Sequence, residues 1–138
     1  IMGGGPDLDR LKQYACDGIQ FYGYIPYAEM MSVAKGCDIS VNAIHSYAMQ
    51  SITNKLSDYM ALQKPILNSQ VNDEVAEVLT LLPHANYRSG DVDGFVQAAK
   101  DILKRKNDPV QSEEIVRRFK RDVAYQKIVN LIERLAHE

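Results

Sequence analysis

The sequence predicts an α/β domain built on a parallel sheet with right-handed crossovers and closed by helices at its carboxyl end. Three observations predict it. From Gly5 to Lys104, short apolar runs alternate with stretches of helical spacing, and Gly, Pro, Asn or Asp marks each exchange. The 138 residues are 46 % hydrophobic and 25 % charged, the balance of one globular core. After Pro109 the alternation stops and only helical spacing continues. The expected organisation is therefore an α/β part over residues 1–109 and C-terminal helices over 110–138 packing on it.

Taken in order, Ile1 and Met2 read as the end of a strand leading into GGGPD, so the chain opens inside an element and is expected to be a piece of a longer polypeptide. Pro6, tolerated at a first helical position, opens a helix through Leu8, Leu11 and Tyr14 to about Cys16. IQFYGY is a short strand ending at Gly23. Pro26 starts a second helix carrying Met30, Met31, Val33 and Ala34, and DISVNAI over 38–44 is a buried strand. A helix over Asn54 to Leu62 follows, then the strand PILNS, a helix from about Asp73 to Leu82, a strand at ANYR and a helix from Asp91 to Lys104. Ser112 is the expected N-cap of the next helix, with Glu113 and Glu114 in its first turn where carboxylates favour the dipole. The tail is helical with a break near Arg121, and Ile128, Leu131, Ile132 and Leu135 form an apolar stripe, read either as a docking face for the sheet or as a partner site.

Composition narrows the function. A net charge of −2 argues against binding nucleic acid through bulk electrostatics. The charge is uneven, with eight basic against four acidic residues between Lys100 and Arg121; this fits solvated helix faces or a patch toward anionic membrane. Cys16 and Cys37 lie outside any metal-ligand spacing. No 18-residue apolar run and no leader pattern occurs, so the expected location is cytoplasmic, with peripheral attachment to the inner face of the membrane left open.

Two stretches carry chemistry. GGGPD joins a strand end to a helix start, where Gly3, Gly4 and Gly5 would let backbone N–H groups approach a phosphate or simply form a tight turn. A dinucleotide fingerprint would need a glycine at Leu8, which argues against a dinucleotide oxidoreductase. In SITNKLSDYMALQKPIL, over 51–67, the helix begins at the carboxyl edge of the sheet, where ligands of open parallel sheets collect. Ser51, Thr53 or Asn54 can cap it. Lys55 then falls in the first turn, where its charge opposes the helix dipole by about 0.3–1 kcal/mol unless an anion compensates. Asp58 lies on the same face one turn on, and the two residues could equally form an ordinary surface ion pair. Leu56, Tyr59 and Met60 face the core.

TNKLSDYMALQKPI, over 53–66, resembles the (P)NKLFEYMAxGxPV segment of family 4 (group 1) retaining glycosyltransferases, whose fold is GT-B. IMGGGP is similar to that family's IxGxGP turn, IQFYGYIPYAEMMSVAKGCDISV to its VxFxGxVPxxELxxxYxxADVxV, and GDVDGFVQAAKDIL to its GDxxxLAxAIxxLL, all in the family's order. The resemblance implies a Rossmann-like, donor-binding half of a GT-B fold, incomplete at its N-terminus, moving a hexose-type sugar from a nucleoside-diphosphate sugar to a sugar or lipid-linked acceptor in polysaccharide or glycoconjugate synthesis. It assigns the diphosphate to Lys55, Asn54, Thr53 and Ser51, the ribose to Asp58, and the base to the region of Tyr22, Gly23 and Tyr24. Gln50 and His45 would approach the donor sugar. No cofactor and no metal is implied; Asp91 and Asp93, the one acidic pair at DxD spacing, fall at the helix start of the last motif.

Some positions depart from the family pattern. Gln50 stands where a glutamate is usual, Asp58 is one methylene shorter than the usual acid, Thr53 replaces a proline, and Gln63 replaces the glycine before Pro65. The basic clamp and the acceptor domain of the family would lie upstream, so the chain alone is expected to transfer no sugar, and a sheet lacking its first strand would invite a dimer through strand pairing. Alternatives are another GT-B enzyme, such as a nucleotide-sugar epimerase, or a non-catalytic flavodoxin-like interaction module.

Overall fold

The computed structural model describes residues 1–45, 47, 48 and 50–136, and the side chains of these except at 121, 124 and 127. The α/β expectation holds. Seven helices and one three-stranded parallel sheet are seen among the described residues, divided between two compact units, Ile1–Gly36 and Cys37–Glu138.

The first unit contains α1 (Leu8–Lys12) and α2 (Tyr27–Gly36). The helix expected over residues 6–16 is only five residues long and buries none of them, so it lacks the packing that sustains short helices. The strand expected at IQFYGY reduces to two isolated bridges, a parallel one between Met2 and Gly23 and an antiparallel one between Cys16 and Ile19. Gly3 (φ +111°) and Gly23 (φ +66°) both lie in backbone space that a ladder does not use, which ends pairing after one step.

The second unit contains β1 (Ser40–Asn42), α3 (Asn54–Leu62), β2 (Ile66–Asn68), α4 (Asp73–Leu79), β3 (His84–Asn86), α5 (Val92–Lys104), α6 (Ser112–Phe119) and α7 (Arg121–Ala136). The strands run in the order β1-β2-β3, all parallel, with Ser40 opposite Ile66 opposite His84. Side chains alternate across the sheet. Ile66 faces a core shared with Leu56 and Met60 of α3, with Val75, Val78 and Leu79 of α4, with Leu81 and Leu82 of the turn after it, and with Ile115 of α6. The helix α5 packs on β2 and β3, and its Ala98 and Ile102 are buried, as is Leu67.

Several boundaries differ from the sequence reading. The helix α4 stops at Leu79, and Thr80, Leu81 and Leu82 each donate to the residue three back, at 3.2, 3.2 and 3.3 Å. That tightened turn precedes Pro83, and the residue before a proline is driven out of the helical region. The strand β3 starts at His84 because the register with β2 begins there. Ser112 is the first helical residue and not the cap, which falls at Gln111; the Ser112 hydroxyl donates instead to Gln63 Oε1 at 2.7 Å. The break before α7 falls at Lys120, in extended backbone. One ion pair ties α6 to α4, Arg118 reaching Glu77 at 2.7 Å; within α6, Arg118 and Arg117 each reach Glu114 at 2.6 Å. Along α7 the stripe of Ile128, Leu131, Ile132 and Leu135 is exposed. Among the described residues no helix is long and apolar enough to cross a membrane.

Candidate functional site

Parallel strands bring all their carboxyl ends to one edge, and here each strand ends in asparagine. Asn42, Asn68 and Asn86 stand in register across the sheet. Asn42 Nδ2 donates to Asn68 Oδ1 at 2.8 Å, and Asn68 Nδ2 donates to Asn86 Oδ1 at 2.9 Å, so a row of amides crosses three strands. The row is buried at Asn42 and Asn68, and Asn42 Oδ1 meets no donor among the described residues. An orphaned buried oxygen costs about 1–3 kcal/mol.

Gln70, two residues past the end of β2, joins the row to the loop before α3. Its Oε1 accepts from Asn42 Nδ2 at 3.2 Å, and its Nε2 donates to the carbonyls of Gln50 and Ser51 at 2.7 and 2.9 Å. Ser69 holds the same loop nearer its start: its hydroxyl donates to the Ile44 carbonyl at 2.8 Å and accepts from the Ile44 N–H at 3.0 Å. A cavity of about 280 Å³ opens at this edge, lined among others by Asn68, Gln70, Asn72 and Tyr87.

The loop delivers α3. Of the three caps left open by the sequence, Thr53 is the one used: its backbone is extended and its Oγ1 accepts from the Leu56 N–H at 3.1 Å. Asn54 and Lys55 are then the first two helical residues, both exposed, and the first turn contains no acid to balance the lysine. Leu56 and Met60 are fully buried and anchor the helix. Asp58 is half-buried one turn below Lys55. Burial, followed by the neighbouring charge of Asp58 and then by Cys37, pushes the Tyr59 phenol above its ordinary value.

Other expected site residues take these places. The Ser51 hydroxyl donates to Glu74 on α4, so what Ser51 turns elsewhere is backbone. Gln50 is exposed and held through its carbonyl. His45 is exposed, its Nδ1 accepting from the Tyr47 N–H at 3.3 Å and its ring tilted against that of Tyr47 at 5.1 Å. Asp91 is spent as the N-cap of α5, accepting from the Gly94 N–H at 2.9 Å. In the first unit, Gly3 and Tyr24 line a common cavity of about 240 Å³ with Pro26, Tyr27 and Met30. Gly4 and Gly5 line a neighbouring one, Gly23 accepts from the Gly3 N–H at 2.7 Å, and the exposed Tyr22 donates its hydroxyl to Gln20 at 2.9 Å.

Sequence reasoning missed Gln70, Glu74 and the asparagine row. A signal was present for the row: DISVN, PILN and HAN each close an apolar run with the same amide. Gln63 gains a reason too. It is the one residue other than glycine with positive φ among the described residues (φ +54°), the left-handed cap that ends α3, which is where glycine is the unstrained choice.

A family model described as glycosyl transferases group 1 matches residues 1–105. Comparison with curated proteins gave no match.

Proposed function

The chain belongs to the group 1 glycosyltransferases, and from that premise we propose that it is the donor-binding half of a family 4, retaining enzyme of GT-B fold, holding a nucleoside-diphosphate sugar by its diphosphate at the start of α3. One observation carries this reading: an exposed lysine in the first turn of a capped helix, at the carboxyl edge of a parallel sheet, with no acid in that turn. An isolated lysine there works against the dipole. A bound diphosphate reverses the sign, because helix N–H groups and the ammonium then converge on one anion.

The chemistry follows from charge. As the bond from the sugar's anomeric carbon to the diphosphate oxygen breaks, its electron pair stays on the diphosphate and the sugar becomes cationic. Donors fixed on that oxygen before the reaction stabilise the transition state more than the ground state. Lys55 and the N–H groups from Ser51 to Lys55 fill that part, and Asp58, one turn deeper, accepts hydrogen bonds from the ribose hydroxyls. The acceptor hydroxyl oxygen then bonds to the anomeric carbon on the face the diphosphate has left, and its proton passes to the departing diphosphate oxygen. The same reading places the enzyme in polysaccharide or glycoconjugate assembly.

Calorimetric titration with UDP, GDP, ADP and CMP tests it. Binding of one diphosphate, even at about 1 mM or −4 kcal/mol, with loss in both Lys55→Ala and Asp58→Ala, supports the reading and names the base. Equal binding by the wild-type chain and both variants would refute it.

A further inference from the structure

Gln70 is 5 % exposed, and both the oxygen and the nitrogen of its side chain are hydrogen-bonded. Its two N–H bonds go to two successive carbonyls, those of Gln50 and Ser51, and its oxygen rests on Asn42, which Asn68 and Asn86 hold in turn. In a planar trans peptide, the C=O of one residue and the N–H of the next point in opposite directions. There is no cis peptide among the described residues. Drawing the Gln50 and Ser51 carbonyls toward Gln70 therefore turns the N–H groups of Ser51 and Ile52 away from it. Among the described residues, neither N–H meets an acceptor.

We infer that Gln70 is a positioning residue of the donor site: by clamping two carbonyls, it presents the Ser51 and Ile52 N–H groups to the diphosphate beside the start of α3. The inference rests on the donor-site reading. It requires an amide at position 70, because the clamp needs two donors and one acceptor on a single head. Glutamate has the shape without the donors, and methionine fills the space with neither. The Ser51 hydroxyl, turned to Glu74, is not the group offered to the anion.

The test compares Gln70→Met, Gln70→Glu and Lys55→Ala by NMR titration. The probes are whichever of UDP, GDP or ADP the wild-type chain binds, and the corresponding nucleoside. In both Gln70 variants, the Ser51 and Ile52 amide resonances are expected to move before any ligand is added. Diphosphate affinity is expected to fall about tenfold or more, the worth of one charge-assisted hydrogen bond, while nucleoside affinity is unchanged. Equal losses for nucleoside and diphosphate would overturn the inference, since general damage to the fold spares neither. Unchanged diphosphate affinity in Gln70→Met alongside a loss in Lys55→Ala would overturn it and leave the donor-site reading standing. Absence of diphosphate binding by the wild-type chain would overturn both.

Discussion

Thr53→Ala removes one oxygen from the point where the sheet edge becomes α3. In the folded chain that oxygen accepts from the Leu56 N–H at 3.1 Å, and the Leu56 side chain is wholly buried in the core. The N–H therefore has poor access to water once its acceptor is gone. Loss of such a cap costs about 1–2 kcal/mol. Thr53 is half-buried, so its methyl adds a few tenths, roughly half the value of one buried methylene. A total near 1.5 kcal/mol corresponds to a fall in melting temperature of about 5 °C for a chain of this size. Urea unfolding followed by far-ultraviolet circular dichroism measures it, with Thr53→Ser as the control that keeps the oxygen and drops the methyl. The serine variant is expected to lose no more than about 0.5 kcal/mol. Equal losses in the two variants, or none in Thr53→Ala, would refute the assignment of Thr53 as the cap.

Further outcomes follow from charge. The guanidinium groups of Arg117 and Arg118 beside Glu114 hold its carboxyl down at about 2, against an ordinary 4.5. A depressed folded pKa means that the stabilisation is complete above the ordinary value and is lost as the pH falls from about 4.5 toward 2. Melting curves between pH 6 and 2 should show Glu114→Gln below wild type at pH 6 and the two converging at pH 2; a constant gap would contradict the network. For Lys55→Ala, relief of the dipole conflict should leave the unliganded chain as stable or more stable, by about 0.3–1 kcal/mol at low salt, while diphosphate binding falls. A clear loss of stability in that variant would assign Lys55 to the fold rather than to a ligand.

The sequence displayed the helices and the parallel sheet because periodicity reports burial, and burial here is regular: Leu56 and Met60 sit four apart on α3, and Val75, Val78 and Leu79 line one face of α4. It overstated the first unit, where IQFYGY has strand-like composition but Gly3 and Gly23 interrupt the pairing. Composition cannot report backbone φ. Around the start of α3, the place of Lys55 in the first turn was legible from local chemistry, while Thr53 was one of three caps that the sequence left open. Gln70 was not legible, because its work lies in hydrogen bonds to residues about twenty positions earlier, which no local pattern encodes. Ser112 shows the same limit in reverse, since a residue suited to capping was drawn into a bond with Gln63 across the fold.

The most direct test of the central claim is a titration of the isotope-labelled wild-type chain with the nucleoside diphosphate it binds best, read as amide shifts along the backbone. The donor-site account predicts that the largest shifts fall on the loop and first turn from Ser51 to Asp58. Shifts centred elsewhere, with those amides unmoved at saturation, would contradict it.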